Sequence, residues 1–288
     1  MTLPPLAAEK IFSLGSFPVT NAYINSTLAV LGVIVFAFFL SRGIKKYYSD
    51  NKAPKGIVNF FEGTLEFLLV YVDQVTQSRK KSLKFLPIVG ALFFFILVSN
   101  WMGLLPGTGS IGIWQMVHGK MELIPLLRPA NTDLNMTLSM AVFAVVVSHF
   151  FGIITIGFFK YLNKFIKLGD IYQALKSLKP VNILTAVIEF FVGLIEVFSE
   201  VAKMVSLSLR LFGNIFAGEV LLTVLAGLIA VAVPLPFMAL ELLVGFVQAI
   251  VFSLLALVYL VIATSEVHGH NEDHHKHDKQ QAEQPSTH

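Results

Sequence analysis

The sequence predicts an all-α polytopic membrane protein, with about five membrane-embedded helices and one interfacial amphipathic helix, and three observations carry that reading. Hydrophobic residues make up 55% of the 288-residue chain and charged residues only 14%, with a mean hydropathy of +0.73, a balance suited to lipid. Apolar runs of bilayer length recur along the chain. One of them, around SLSLRLFGNIFAGE, carries Arg210 between a largely apolar stretch and an almost uninterrupted one. A guanidinium cannot shed its charge as Lys or His can. Its insertion costs roughly 2.5–3.5 kcal/mol, so a charge at that depth points to function.

Residues 22–41 supply the first span, at 1.5 Å rise per residue. The N-terminal MTLPPLAAEKIFSLGSF has no basic region ahead of an apolar core and is not rich in Arg and Ser, so the first helix is expected to serve as its own insertion signal. Residues 42–84 gather nine basic side chains around a stretch carrying Glu62, Glu66 and Asp73. Those three acids fall on one helical side, which predicts an interfacial helix over about 56–77. A second span is expected over 83–105 and a third over 134–159, separated by a Gly- and Pro-rich loop. Lys and Arg number fourteen in segments 42–84 and 160–179 but three in the N-terminus and the 106–133 loop. The positive-inside rule therefore places the rich segments in the cytoplasm and the N-terminus outside.

The stretch 182–233 is too long for a perpendicular span. Glu196, Ser199, Lys203, Ser206 and Asn214 all fall within about 40° of Arg210 on a helical wheel, and two separate spans would have no reason to keep that phase. One continuous, oblique helix is expected, with Glu219 about 180° from Arg210 and so in a different environment. Pro234 and Pro236 are expected to bracket a turn. The last helix, 237–264, places Glu241, Gln248 and Tyr259 on one face, so the final two helices form a long oblique hairpin with facing polar seams.

SLSLRLFGNIFAGE, the proline turn, and Glu, Gln and Tyr at these spacings resemble subunit a of F-type ATP synthases. PANTDLNMTLSMA and SNWMGLLP are similar to that family's sequences around the third span, and the resemblance runs from about Lys84 to Glu266. It implies a stationary subunit forming two offset aqueous half-channels against a rotating ring of c subunits, with b-type peripheral stalk subunits and a soluble catalytic head as further partners. Carried over by motif, Arg210 separates the half-channels and promotes deprotonation of the ring carboxylate, with Asn214 and Gln248 as its neighbours. Glu219 and Glu241 belong to the outer half-channel, Glu196, Ser199 and Ser206 line the cytoplasmic one, and Tyr259 lies on the last helix's seam. Asn100, Asp133 and Asn135 sit near the outer entrance. The family commonly pairs Glu with His at the positions of Glu219 and Glu241. Two glutamates facing one cavity repel when both are ionised, so this pair is expected to share a proton. Gly103 replaces an acid that some members carry.

Plainer readings stand beside these. Arg210 could snorkel to an interface, although more than twenty mostly apolar residues follow it. Glu196, Ser199 and Ser206 could be a packing surface, and Lys203 a structural partner of Ser199 or Glu200. His149, alone in an apolar span, reads as a packed or hydrogen-bonded residue. Gly213 and Gly218 could admit another helix closely.

The chain has no cysteine, which excludes disulfides and thiolate metal sites. No GxSxG, HExxH or phosphate-binding loop occurs, so no catalytic centre and no cofactor is expected. A net charge of +3, spread over loops, argues against a nucleic-acid partner. Residues 1–266 read as a single membrane domain and 267–288 as a disordered, His-rich cytoplasmic tail. Its His270, His274, His275 and His277 have the chemistry for zinc or nickel but no ordered geometry, so no metal site is assigned. The alternative function is a stand-alone ion-coupled secondary transporter or channel. Against it stand the lack of an internal repeat and of a dense acidic site to complement Arg210. The expected location is a bacterial plasma membrane, with H⁺ as the coupling ion.

Overall fold

The computed structural model describes residues 5, 8–49, 53, 55–105, 108, 111–117, 120–166, 180–228 and 233–265. The tail over 267–288, with its histidines, lies outside the described residues. Helices α1 (Asn21–Ser49), α2 (Ile57–Thr76), α3 (Arg79–Met102), α4 (Leu134–Ile156), α5 (Phe158–Ile166), α6 (Pro180–Leu228) and α7 (Pro234–Thr264) dominate the fold. Five of them, α1, α3, α4, α6 and α7, are long and apolar enough to cross a membrane. In lipid a spanning segment must satisfy its backbone internally, as a helix or in a closed barrel, and uninterrupted apolar runs of this length select the helix.

α2 stands apart because Glu62, Glu66 and Asp73 interrupt its apolar surface. Its buried residues Leu68, Val72 and Thr76 recur every fourth position and pack one face onto the bundle. The reversal into α3 uses Gln77 in the left-handed region at φ 51°. Thr76 Oγ1 and Ser82 Oγ hydrogen-bond across that corner.

α6 is one unbroken helix of 49 residues, as the phase of its polar stripe requires. Pro234 and Pro236, expected to bracket a turn, instead sit in the first turn of α7. A helix start has no intrahelical use for those N–H groups, so proline is tolerated there. The segment between α3 and α4, read from sequence only as a Gly- and Pro-rich loop, builds an antiparallel hairpin of β3 (Gly112–Val117) and β4 (Lys120–Pro125), with Trp114 opposite Leu123 and Met116 opposite Met121. A second hairpin, β1 (Lys10–Leu14) and β2 (Phe17–Thr20), precedes α1. Gln115 Nε2 donates to the Ile11 carbonyl at 2.8 Å and joins the two.

α7 lies at the centre, packed against α3 and α4, with α6 on the flank of α4 and α7. The core is made of Leu92, Phe93 and Ile96 of α3, Met140 and Ala144 of α4, Leu207, Leu211 and Ile215 of α6, and Ala249, Phe252 and Ala256 of α7. Hydrocarbon tails are as apolar as these side chains, so close packing and hydrogen bonds between helices, rather than water exclusion, select the arrangement. Gly245 shows how: a Cβ there would lie 3.2 Å from Asn100 Cβ. With none, Asn100 Nδ2 reaches the Gly245 carbonyl at 3.1 Å and Trp101 Nε1 reaches that of Leu242 at 3.1 Å.

Candidate functional site

A cavity of about 210 Å³ opens where the end of α3, the hairpin loop, α6 and α7 meet, and Asn100, Thr108, Arg128, Glu219, Thr223 and Glu241 supply its polar lining. Asn100 is fixed twice, through Gly245 and through Asn131 Nδ2, which donates to its Oδ1 at 2.6 Å. Glu219 and Glu241, both placed in the outer half-channel by sequence, do share this one space. The Glu241 carboxylate rests directly against Gly218 of α6, in the volume that a Cβ would fill.

Arg128 is the residue that sequence reading missed as a site group. Its Nε donates to both Glu219 oxygens, at 3.0 and 3.2 Å, and its Nη2 donates to Oε2 at 3.0 Å and to the Pro5 carbonyl at 2.8 Å. Its side chain is only 2% exposed, against 20% for Glu219. A buried guanidinium needs a counter-charge and filled donors, and this one has both. Asn25 Nδ2 of α1 holds the Arg128 backbone carbonyl at 2.6 Å, so the loop is anchored to the first helix as well. The only sequence signal was a lone Arg in RPANTD; its partner lies 91 positions further on.

Arg210 lies on another flank. Ser206, Arg210 and Asn214 are exposed at four-residue spacing, while Leu207, Leu211 and Ile215 are buried beside them. No ion pair engages Arg210 among the described residues. Glu196, Ser199 and Lys203 continue the same stripe toward the start of α6 and are half-buried. Gln248 is buried on α7.

At the opposite end of the bundle from the cavity, a second polar cluster forms. His149 Nδ1 and Tyr161 Oη lie 2.6 Å apart, His149 Nε2 is 3.8 Å from Glu200 Oε2, and Lys203 Nζ donates to Glu200 Oε1 at 2.7 Å. Lys203 also lies 5.5 Å from the Tyr259 ring centroid. His149 is thus the hydrogen-bonded residue its apolar setting suggested, and Lys203 takes Glu200 as its partner. Burial, reinforced by Glu200 and Glu196, pushes the Tyr161 hydroxyl up to about 12. Along α6 the two clusters stand about 15 Å to one side of Arg210 and about 13 Å to the other, at 1.5 Å per residue.

Two residues assigned by sequence to the outer entrance are not brought into the cavity. Asp133 caps α4 by accepting from the Asn135 backbone N–H at 3.0 Å, and Asn135 is exposed.

Residues 24–261 match the family described as ATP synthase A chain. The chain is also similar to the ATP synthase subunit a of Moorella thermoacetica, at 29% identity over 261 residues, covering 91% of this chain and 97% of that protein.

Proposed function

The chain belongs to the ATP synthase A chain family, and on that premise we propose that it is the stationary proton-channel subunit of the membrane sector of a rotary ATP synthase. It is a multi-pass membrane subunit, non-catalytic by itself, which acts with a c ring. Two offset aqueous half-channels lie against that ring. The cavity of Asn100, Glu219 and Glu241 belongs to the outer one, and Asp133 and Asn135, outside that cavity, lie toward the entrance of the same half-channel. The seam of Glu196, Ser199 and Ser206 belongs to the cytoplasmic one, with Tyr259 across it, and Asn214 and Gln248 flank Arg210 between the two.

The observation that carries this reading is the placement of Arg210: on the outward flank of α6, unpaired among the described residues, and between two polar clusters. A permanent charge left open to the side is suited to a partner carboxylate that arrives from outside the chain. Desolvation keeps a lipid-facing carboxylate neutral, whereas a nearby guanidinium favours its ionised form. A ring carboxylate reaching Arg210 therefore gives up its proton to one half-channel and takes another from the second. The same charge repels a proton attempting the direct route, so ions cross only as the ring turns. Lysine could lose its charge in such a place and arginine cannot.

The N-terminus faces outward and the C-terminal tail the cytoplasm of a bacterial plasma membrane, following the distribution of Lys and Arg. α6 and α7 lie as an oblique hairpin, because about 74 Å of helix exceeds a hydrocarbon thickness of about 30 Å. b-type stalk subunits and the soluble head complete the assembly, and H⁺ is the coupling ion. Arg210→Ala in the assembled complex tests the mechanism: ATP-driven acidification of inverted membrane vesicles should vanish while the complex still assembles. Wild-type pumping by that variant would defeat it.

A further inference from the structure

Glu219 and Glu241 line the same cavity, yet their surroundings differ. Both oxygens of Glu219 are engaged by Arg128. That guanidinium cannot follow a neutralised partner into solvent, because it is 2% exposed, its Nη2 is held by the Pro5 carbonyl and its backbone carbonyl by Asn25. A proton delivered to Glu219 would leave a buried cation without its counter-charge. Glu241 has no such tether: its carboxylate rests on the Gly218 backbone, and no cation or hydrogen-bond donor engages it among the described residues.

We propose that Arg128 and Glu219 form a fixed ion pair that positions and neutralises one wall of the cavity, and that Glu241 alone takes up and gives up the translocated proton there. This deepens the functional reading above and rests on it. Arg128 and Glu219 are positioning residues; Glu241 is the group that touches the reacting proton. The steps balance simply. The ionised Glu241 carboxylate takes a proton from hydronium and leaves water, then passes that proton to an ionised ring carboxylate and returns to its starting state. With the pair internally compensated, the charge of the cavity alternates between one negative charge and none, so each transfer is a single-proton event. From α6, Glu241 faces Gly218 and Glu219; from α3, Asn100 and Gly103; from the hairpin loop, Arg128. Glu219 and Arg128 are the charged groups among them.

The test uses the assembled complex in inverted membrane vesicles, reading the initial rate of ATP-driven acidification per complex. Glu241→Gln should lower that rate by about a hundredfold, the scale of a lost proton-transfer group. Arg128→Gln and Glu219→Gln should each lower it about tenfold, while the double variant should return to within about threefold of wild type, because it deletes the pair whole. The pH profile supplies a readout that a structural role would not move. Glu241→His should carry the half-maximal pH toward the imidazole range near ~6.5, and Glu219→Asp should leave it in place. The proposal is overturned if Glu241→Gln pumps near the wild-type rate, if the double variant is no better than Glu219→Gln, or if the midpoint moves with Glu219 and not with Glu241. Should the double variant fail to assemble, the Glu241→His profile decides, since it leaves the pair intact. Arg210→Ala separates the two levels. If it pumps normally, the parent reading has failed; if it is inactive while Glu241→Gln is active, only the division of roles has.

Discussion

The carboxylate of Glu241 occupies the space where the side chain of residue 218 would begin, so that a Cβ at position 218 and the Glu241 carboxylate exclude each other. Gly218 is buried on α6 and faces the cavity side of α7. Any larger residue there must push the carboxylate away from the place it now holds.

Gly218→Ala is therefore expected to impair ion transport without removing a single polar group. The atoms that must move are the far end of a flexible side chain, so the shift costs little stability, but it takes the carboxylate from its place and should lower the acidification rate about tenfold, equivalent to about 1.4 kcal/mol in the barrier. Shortening the displaced side chain, in Gly218→Ala/Glu241→Asp, should recover part of the loss. An unchanged rate in the single variant would show that the contact does not position Glu241.

The two arginines should separate in stability. Arg210→Leu removes an exposed side chain with no ion pair among the described residues, so thermal unfolding of the purified complex should shift by no more than about 0.5 kcal/mol equivalent. Arg128→Gln strands Glu219 and breaks a buried pair, for which about 3–5 kcal/mol is typical. Equal effects from both would contradict the difference in their surroundings.

Gly152 brings α4 against α5 and α7: a Cβ there would lie 2.7 Å from the Ala263 carbonyl oxygen and would press into the Tyr161 ring. The carbonyl is helix backbone and cannot yield as a side chain can. Gly152→Ala should destabilise the bundle by about 1–3 kcal/mol, visible as a lower midpoint of thermal unfolding and faster proteolysis between α4 and α6.

The Tyr161 hydroxyl, pushed up to about 12 chiefly by burial, gives a pH signature outside the membrane-spanning helices. An acid held neutral in the fold contributes its stability fully below the unfolded value near 10. That contribution is lost as pH rises through about 12. Wild-type protein should lose stability over this alkaline window, and Tyr161→Phe should show a flatter profile there by pH-dependent unfolding. Parallel profiles would remove Tyr161 as the cause.

The helices were legible because lipid enforces them: α1, α3, α4, α6 and α7 each announce themselves as apolar runs, and the continuity of α6 followed from the constant phase of Ser199, Ser206, Arg210 and Asn214. The hairpin of β3 and β4 was not, since its flanking Gly and Pro residues look like irregular chain and its register depends on pairing across the turn. Glu219 and Glu241, which sequence assigned to one half-channel, line one cavity. Arg128 was invisible as their neighbour because its distance from Glu219 along the chain leaves no periodic trace, and because one loop arginine carries the same local signal whether it faces water or a buried carboxylate. Asp133 illustrates the converse, for its role as the cap of α4 lies one residue before the helix and could have been read from position alone.

Along its middle, α6 packs through Leu207, Leu211 and Ile215 and leaves the side of Ser206, Arg210 and Asn214 exposed. A surface built that way is suited to serve as a bearing for the proposed ring. On the proposed reading, a ring passing along this side would break no internal contact of the bundle, and each step would meet one guanidinium rather than a rearrangement of the core.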